Sequence, residues 1–328
     1  MSNKKDIHVF GAGPAGLVAA INLNRDGFRV IVHEKQESVG GEPGWHPSVH
    51  TTPVVMPGLW DYIGIDCSEA FIDTSDKCKL YMNGQDTGNI NFDEMGYKVY
   101  NTERGHRSSS LDNHLFRIAE KEGVNFEFDK TIKENDLIES PDNTILATGL
   151  SPAMYQWLGI ESSVFAGYWA YTEIENDHVS AGTYFGDFAN EYGYSAAMNG
   201  IWYVLLFARK EVPQENLDKF KKILEECEGR TFDKWRRFIG QTPKGPKLYH
   251  KNYILSGTIG GFVEPAFGFG ITGALLSGKI SAVAVIDPQK AEKEFKRFTD
   301  GIITHINRKR KPGYSPSVEM GDTWFDIS

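Results

Sequence analysis

Apolar and polar positions recur along this chain in two periods, and the changes of period mark its elements. Ile7, Val9 and Phe10 give the short apolar pattern of a buried strand. Leu17, Ala20, Ile21 and Leu23 then recur at helical spacing, and Val30–Val32 forms a second strand. Lys79–Met82 and Tyr97–Tyr100 read as short strands flanking the turn-rich NGQDTGN. Leu111 opens an amphipathic helix with Leu115, Ile118 and Ala119 on one face and Gly123 as its stop, and Asn125–Phe128 is a further strand. Residues 143–149, NTILATG, form an apolar strand ending in small residues. Residues 151–249 change texture, with the aromatic strand segments VFAGYWAYTEI, HVSAGTYFG and GIWYVLLFA and a surface helix over Val212–Glu228 whose Leu217, Phe220 and Leu224 turn inward. Tyr253–Leu255 leads through a glycine-rich turn into an apolar helix carrying Gly273, Ala274, Ser277 and Gly278, and a charged helix over 288–300 follows.

The order strand, glycine turn, helix, strand, acid over Ile7–Lys35 is that of a dinucleotide-binding βαβ unit, against the plainer alternative of a glycine-rich turn in another α/β protein. Gly11 permits the turn, Gly13 lets backbone approach a pyrophosphate, and Gly16 lets helix and strand pack closely. Pro14 and Ala15 open the helix, whose N-terminal N–H groups attract phosphate. Glu34, followed by Lys35, stands where a carboxylate accepts hydrogen bonds from ribose hydroxyls. This unit alone does not separate FAD from NAD. Gly41 and Glu42 lie in a glycine-rich loop that would pass close to a cofactor, and Ala147, Thr148 and Gly149 end a strand that would return to the first sheet. Arg107, with Arg104 second, is the candidate for a phosphate or cofactor-edge contact, against the alternative of a solvated basic loop.

Composition narrows the function. The chain has 328 residues and a formal net charge of −9, so it lacks the positive field of a general nucleic-acid binder. Its three cysteines, Cys67, Cys78 and Cys227, fit neither a zinc set nor a redox CxxC pair, and are expected as reduced thiols in a cytoplasmic protein. The start MSNKKD leaves no room for a signal peptide, and no apolar run reaches the roughly 18–20 residues of a membrane span. His46 and His50 are four apart, but Pro47 argues against a helix presenting both to a metal, so no metal is expected and a pocket wall is favoured. The run Arg308-Lys309-Arg310-Lys311 reads as a solvated tail, with peripheral membrane contact as the alternative. The aromatic residues of 151–249, among them Trp169, Tyr194 and Trp202, would suit a small apolar or planar substrate, against an aromatic core as the alternative.

GAGPAGL…VHEK, then ATG, then GxxGGFxxPxFGFGIxGALxSGK together resemble the FAD-dependent geranylgeranyl reductase-like branch of the p-hydroxybenzoate hydroxylase superfamily, and RGHRSSSLDNHLFRIAEKEG looks like that group's arginine-led helix. The resemblance implies FAD as cofactor and an α/β FAD/NAD(P)-binding Rossmann-like domain with an antiparallel sheet domain over the flavin. Residues 1–58, 101–150 and 250–286 would form the first, 59–100 and 151–249 the second, and 287–328 a C-terminal helix and tail. It implies that Thr258 borders the flavin ribitol, that Gly268, Gly270 and Ile271 present backbone to the flavin ring, and that Pro265 packs beside it. Thr258 stands where the group usually has an acid. Val39-Gly40-Gly41-Glu42 lacks the cysteine of the prenyl reductases, and Gly193-Tyr194 is followed by Ala196 where they carry tryptophan.

The expected activity is a FAD-dependent oxidoreductase that reduces or dehydrogenates a carbon–carbon double bond of an apolar, prenyl-like or planar substrate. NAD(P)H or an electron-transfer partner would be the external donor, and His46 and Tyr194 are the candidate catalytic residues. The alternatives are a flavin monooxygenase using NAD(P)H and O₂, and a non-catalytic flavin-binding accessory or sensor protein.

Overall fold

The computed structural model describes residues 6–54, 58–90, 92, 98–142, 144–175, 178–189, 191–208, 211–264 and 267–309. Its first sheet carries the strands in the order Tyr249–His250, Tyr253–Leu255, Ile145–Leu146, Ile7–Phe10, Val30–His33, Asn125–Glu127. All neighbours are parallel except the hairpin of Tyr249–His250 with Tyr253–Leu255. Helix Pro14–Arg25 crosses from the first strand to the second, as the apolar spacing requires, and packs against helix Ile271–Ile286. Small residues set that approach: a Cβ on Gly278 would lie 2.5 Å from the Ala15 carbonyl oxygen. Helix Ile271–Ile286 is largely apolar, Lys279 excepted, because most of it is enclosed, with Leu275, Leu276 and Ile280 fully buried.

The second sheet has the order Arg236–Pro243, Ser162–Glu173, Ile201–Ala208, Tyr192–Met198, Ser180–Phe185, Cys78–Met82, Gln85–Asn89. It is antiparallel apart from the pairing of Ser180–Phe185 with Cys78–Met82. Alternation along its strands separates two faces. Tyr184, Trp202, Val204 and Leu206 meet Leu217, Phe220 and Leu224 of helix Gln214–Glu228. Trp169, Tyr194, Tyr203 and Phe207 turn the other way.

A third, smaller sheet of Ser48–Val54, Lys98–Arg104 and Phe71–Asp73 lies beside these, with Lys98–Arg104 in the middle. Pro53 is tolerated in Ser48–Val54 because that strand is at the edge. Helix Gly58–Ile63 and Phe71 pack into the core of the first layer, whereas Cys78–Asn89 belongs to the second sheet. The turn-rich NGQDTGN is more ordered than its composition indicates. Asn83 and Gly84 make a tight turn with φ of 51° and 79°, and Gln85–Asn89 then runs as an exposed edge strand. The last helix continues past residue 300 to Lys309, so half of the basic run is helical, while Arg310 and Lys311 lie outside the described residues. Among the described residues no helix is long and apolar enough to cross a membrane.

Candidate functional site

One cleft of about 1210 Å³ opens between the carboxyl ends of the first sheet's strands and the aromatic face of the second. The carboxyl ends of parallel strands are where open α/β sheets bind ligands. Its walls include Gly11, Gly13, Pro14, Ala15, Glu34, Lys35, Gly41, Glu42, Ala147, Thr148 and Gly149 at one end and Thr258, Gly268, Gly270 and Ile271 along one side. His46, Trp169 and Tyr194 are walls as well. Gly16 is not: a Cβ there would stand 1.9 Å from the Gly11 carbonyl oxygen, so it seats the helix against the turn. Pro265 lies outside the described residues.

At the glycine end, Glu34 is buried and accepts from the N–H groups of Ala12 (2.8 Å) and Gln36 (3.0 Å), which fixes the carboxylate at the mouth of the turn. Thr148 Oγ1 is buried in the cleft wall with no hydrogen-bond partner among the described residues.

Of the two candidate arginines, Arg104 is the one placed here. It ends the strand Lys98–Arg104, lines the cleft and grips the fully buried Asp112 with two hydrogen bonds, Nε to Oδ2 at 2.7 Å and Nη2 to Oδ1 at 2.9 Å. Burial opposes the charge on Asp112, but the guanidinium and the Gly105 N–H hold its carboxyl below the usual carboxylate range. Arg107 is turned away from the cleft. It donates to the Asn199 carbonyl at 2.7 Å and pairs with Glu103 at 3.4 Å, pinning a hairpin of the second sheet. The order of the two arginines expected from sequence is thus reversed in space: Arg104 sits at the end of a strand, while Arg107 sits in the turn beyond it.

Trp202 is likewise displaced from the cleft. It packs on the helix-covered face, stacked with His178 and under the Arg230 guanidinium. Its neighbour Tyr203 takes the cleft position, beside Leu205, Phe207, Phe165 and Phe238. Strand parity carries this distinction. The Asn199-Gly200 turn pairs Ala196 with Tyr203 and Tyr194 with Leu205, so Tyr203 shares a face with Tyr194 and Trp202 does not. Tyr194 is a wall with a committed hydroxyl. It donates to the Val49 carbonyl at 2.9 Å and accepts from the Thr51 N–H at 2.6 Å, tying the second sheet to the third, and burial pushes its phenol up.

His46 and His50, paired by their spacing in the sequence, are joined in space by Ser48. Ser48 Oγ lies 2.8 Å from His46 Nδ1 and 2.9 Å from His50 Nε2, and all three side chains line the cleft. Burial first and the Arg104 charge second push both imidazoles down to about 3, so both are neutral at ordinary pH. Among the described residues no group of three His, Cys, Asp or Glu side chains is placed to hold a metal.

Comparison with known proteins agrees with this architecture. Residues 9–43 match the family model of an NAD(P)-binding Rossmann-like domain. "Flavin-containing monooxygenase FMO GS-OX-like 9" of Arabidopsis thaliana is 48% identical over 48 residues, which are 15% of this chain and 10% of that protein. The stretch shared with this relative therefore spans about a tenth of its length. Among solved structures, a geranylgeranyl bacteriochlorophyll reductase-like protein of Thermoplasma acidophilum superposes with a TM-score of 0.66 at 17% identity, over 95% of this chain and 89% of the other. p-Nitrophenol 4-monooxygenase PnpA of Pseudomonas putida gives 0.65 at 15% identity, over 98% and 93%. CtdE, solved in complex with FAD, gives 0.65 at 15% identity, over 96% and 95%. The chain has the fold these proteins share, a Rossmann-like layer with a largely antiparallel sheet above it.

Proposed function

We propose that this fold binds FAD and acts as a flavin-dependent oxidoreductase on a small apolar or planar substrate. The observation that carries the proposal is the continuity of one cleft from a dinucleotide cradle to an aromatic chamber. Its volume of about 1210 Å³ exceeds the roughly 300–1,000 Å³ of a single-ligand pocket and suits a cofactor with a substrate beside it. The residues present fit the cofactor. Gly13 leaves space toward the cleft: among the described residues a Cβ there would meet only Arg104 Nη2 at 3.9 Å, and Thr148 Oγ1 has no hydrogen-bond partner among them. Gly11, Gly13, Pro14 and Ala15 would hold the pyrophosphate with Arg104 facing them, and Glu34 would accept from the ribose hydroxyls. Thr258, with Gly268, Gly270 and Ile271 at the start of helix Ile271–Ile286, would border the ring and its ribitol.

Bound FAD supplies reversible two-electron chemistry, and the protein supplies orientation, burial and charge. The aromatic wall of Trp169, Tyr203 and Phe207 excludes water and holds an apolar molecule flat. The positive end of the helix dipole at Gly270 favours a negative charge developing near it. The finer reading is hydride addition to, or removal from, a carbon–carbon double bond, with NAD(P)H or an electron carrier as external donor. A second reading, hydroxylation with O₂ and NAD(P)H, draws on the fold-level likeness to PnpA and the short match to flavin-containing monooxygenases.

The test begins with the visible spectrum of the purified protein and its titration with FAD. A flavin absorption band and stoichiometric binding are expected, and failure to bind would overturn the proposal. Products formed from planar and prenyl-type probes with NAD(P)H, with and without O₂, then separate the readings. Saturation of a double bond without O₂ marks the first, and O₂-dependent gain of oxygen marks the second.

A further inference from the structure

We propose that His46, Ser48 and His50 form a proton conduit that carries a proton from the Gly41–Trp45 loop into the aromatic chamber. The inference rests on the oxidoreductase reading, since adding hydride to a double bond requires a proton for the second carbon.

Three observations carry it. The three side chains are linked end to end: Ser48 Oγ stands 2.8 Å from His46 Nδ1 and 2.9 Å from His50 Nε2. Ser48 is 1% exposed, so water does not substitute for its hydroxyl in the chain. The two ends also have different neighbours along the one cleft wall. A Cβ on Gly41 would come within 3.0 Å of His46 Nε2, and Glu42, Pro43 and Gly44 beside it are exposed. His50, half-buried like His46, has its ring stacked toward Tyr203 of the aromatic wall at 6.3 Å between centroids. Among the described residues, His46 Nε2 and His50 Nδ1 make no other hydrogen bond.

A hydroxyl between two neutral imidazoles donates to one ring and accepts from the other. With His46 protonated at Nδ1 and His50 at Nδ1, the Ser48 O–H donates to His50 Nε2. The substrate's double bond accepts a hydride at one carbon from a two-electron donor of the dihydroflavin class. The π pair then forms the new C–H bond at the other carbon with the His50 Nδ1 proton. His50 Nε2 takes the Ser48 proton, Ser48 takes the Nδ1 proton of His46, and His46 Nε2 takes one from solvent. One proton enters and one leaves, the donor is oxidised by two electrons, and each ring is neutral before and after. Passage by exchange of tautomers suits the surroundings. Arg104 and, behind it, Asp112 and His106 are the charged or titratable groups of the third-sheet side, and Tyr194 and Tyr203 face the chain from the second sheet. The Arg104 charge disfavours a stored imidazolium, and a tautomer chain needs none.

The test reads solvent exchange of the His50 ring N–H by NMR on ¹⁵N-histidine-labelled protein, with Ser48→Ala and Ser48→Thr compared to the parent chain. The flavin band of each sample reports FAD binding separately, so failure of the cofactor reading is distinguishable from failure of this one. In the FAD-loaded parent protein, with the cofactor filling the cleft, the His50 N–H is expected to exchange through the chain. Ser48→Ala should slow it at least about tenfold, and Ser48→Thr, which restores a hydroxyl, should recover it. A wall role alone predicts the opposite sign, because deleting the hydroxyl opens space for water. Unchanged or faster exchange in Ser48→Ala overturns the proposal. As a second measurement, the solvent deuterium isotope effect on quinone reduction by the FAD-loaded enzyme, with menadione as probe, should rise in Ser48→Ala. An isotope effect equal to that of the parent counts against the conduit.

Discussion

Gly13 and Arg104 face each other across an open gap: a Cβ placed on Gly13 would find the Arg104 Nη2 atom at 3.9 Å and nothing nearer among the described residues. Gly13 has a φ of −77°, so alanine fits its backbone. Gly13→Ala should therefore fold with a stability within about 1 kcal/mol of the parent. It should lose FAD affinity by about tenfold or more, roughly 1.4 kcal/mol, because the methyl group occupies the gap. Gly16→Ala should fail differently, costing about 3 kcal/mol or more of stability, since its Cβ would meet backbone at 1.9 Å. Thermal melts and FAD titrations of the pair separate the two outcomes.

Asp112 orients Arg104, and the two should be separable by mutation. Asp112→Asn leaves a guanidinium without its counter-charge in a largely enclosed site and should cost about 3–5 kcal/mol in urea denaturation. Arg104→Lys keeps a positive charge but cannot reproduce the two-pronged contact. It should weaken FAD binding more strongly than Arg107→Lys, whose side chain only pins the hairpin at Asn199. Equal losses for the two arginines would refute the assignment of Arg104 to the cradle.

Trp202 and Tyr203 are adjacent in sequence and opposite in role. Trp202→Ala should cost about 3–5 kcal/mol by opening the core under helix Gln214–Glu228, with little change in the bound-flavin spectrum. Tyr203→Phe should leave stability nearly unchanged, while Tyr203→Ala should enlarge the chamber and alter the flavin band or its fluorescence quenching.

Acid should weaken the fold before most carboxylates titrate. His46 and His50 are held near 3 in the folded chain, against about 6.5 when unfolded. Below about pH 6.5 the unfolded state binds protons that the native state does not, so stability falls as pH drops toward 3 and is fully present above the unfolded value. Each histidine should contribute up to about 1.4 kcal/mol per pH unit across that window. Urea midpoints between pH 7.5 and 5 should show this slope, and a double His46→Asn, His50→Asn variant should flatten it.

What the sequence made legible was what depends on neighbours along the chain. The turn at Gly11–Gly16, the strand at Ile145–Leu146 and the glycine-led helix at Ile271 lie where their local patterns put them. Features set by pairing were harder to read. Tyr203 could have been separated from Trp202 by strand parity through the Asn199-Gly200 turn, a signal present in the letters. Arg104 could not be ranked above Arg107 in that way, because what distinguishes it is contact with Asp112, and no periodicity joins those positions. His46 and His50 were legible as a pocket wall, but Ser48 between them was obscured by the neighbouring Pro47. Proline argues against a regular element, yet an edge strand accommodates it and brings alternate residues onto one face.

The strand order of the first sheet also bears on how the protein is made. Ile7–Phe10 leaves the ribosome before its partners: Ile145–Leu146, its neighbour on one side, follows more than a hundred residues later, and Tyr253–Leu255 pairs beyond that. At a translation rate of about 5–20 residues per second, roughly 10–50 s separate Phe10 from Leu255. During that interval the glycine turn has no completed sheet behind it. Chains stalled before residue 255 should not retain the cofactor, so its capture follows synthesis of Leu255, and the exposed apolar edges of the nascent sheet would be the segments a chaperone meets first.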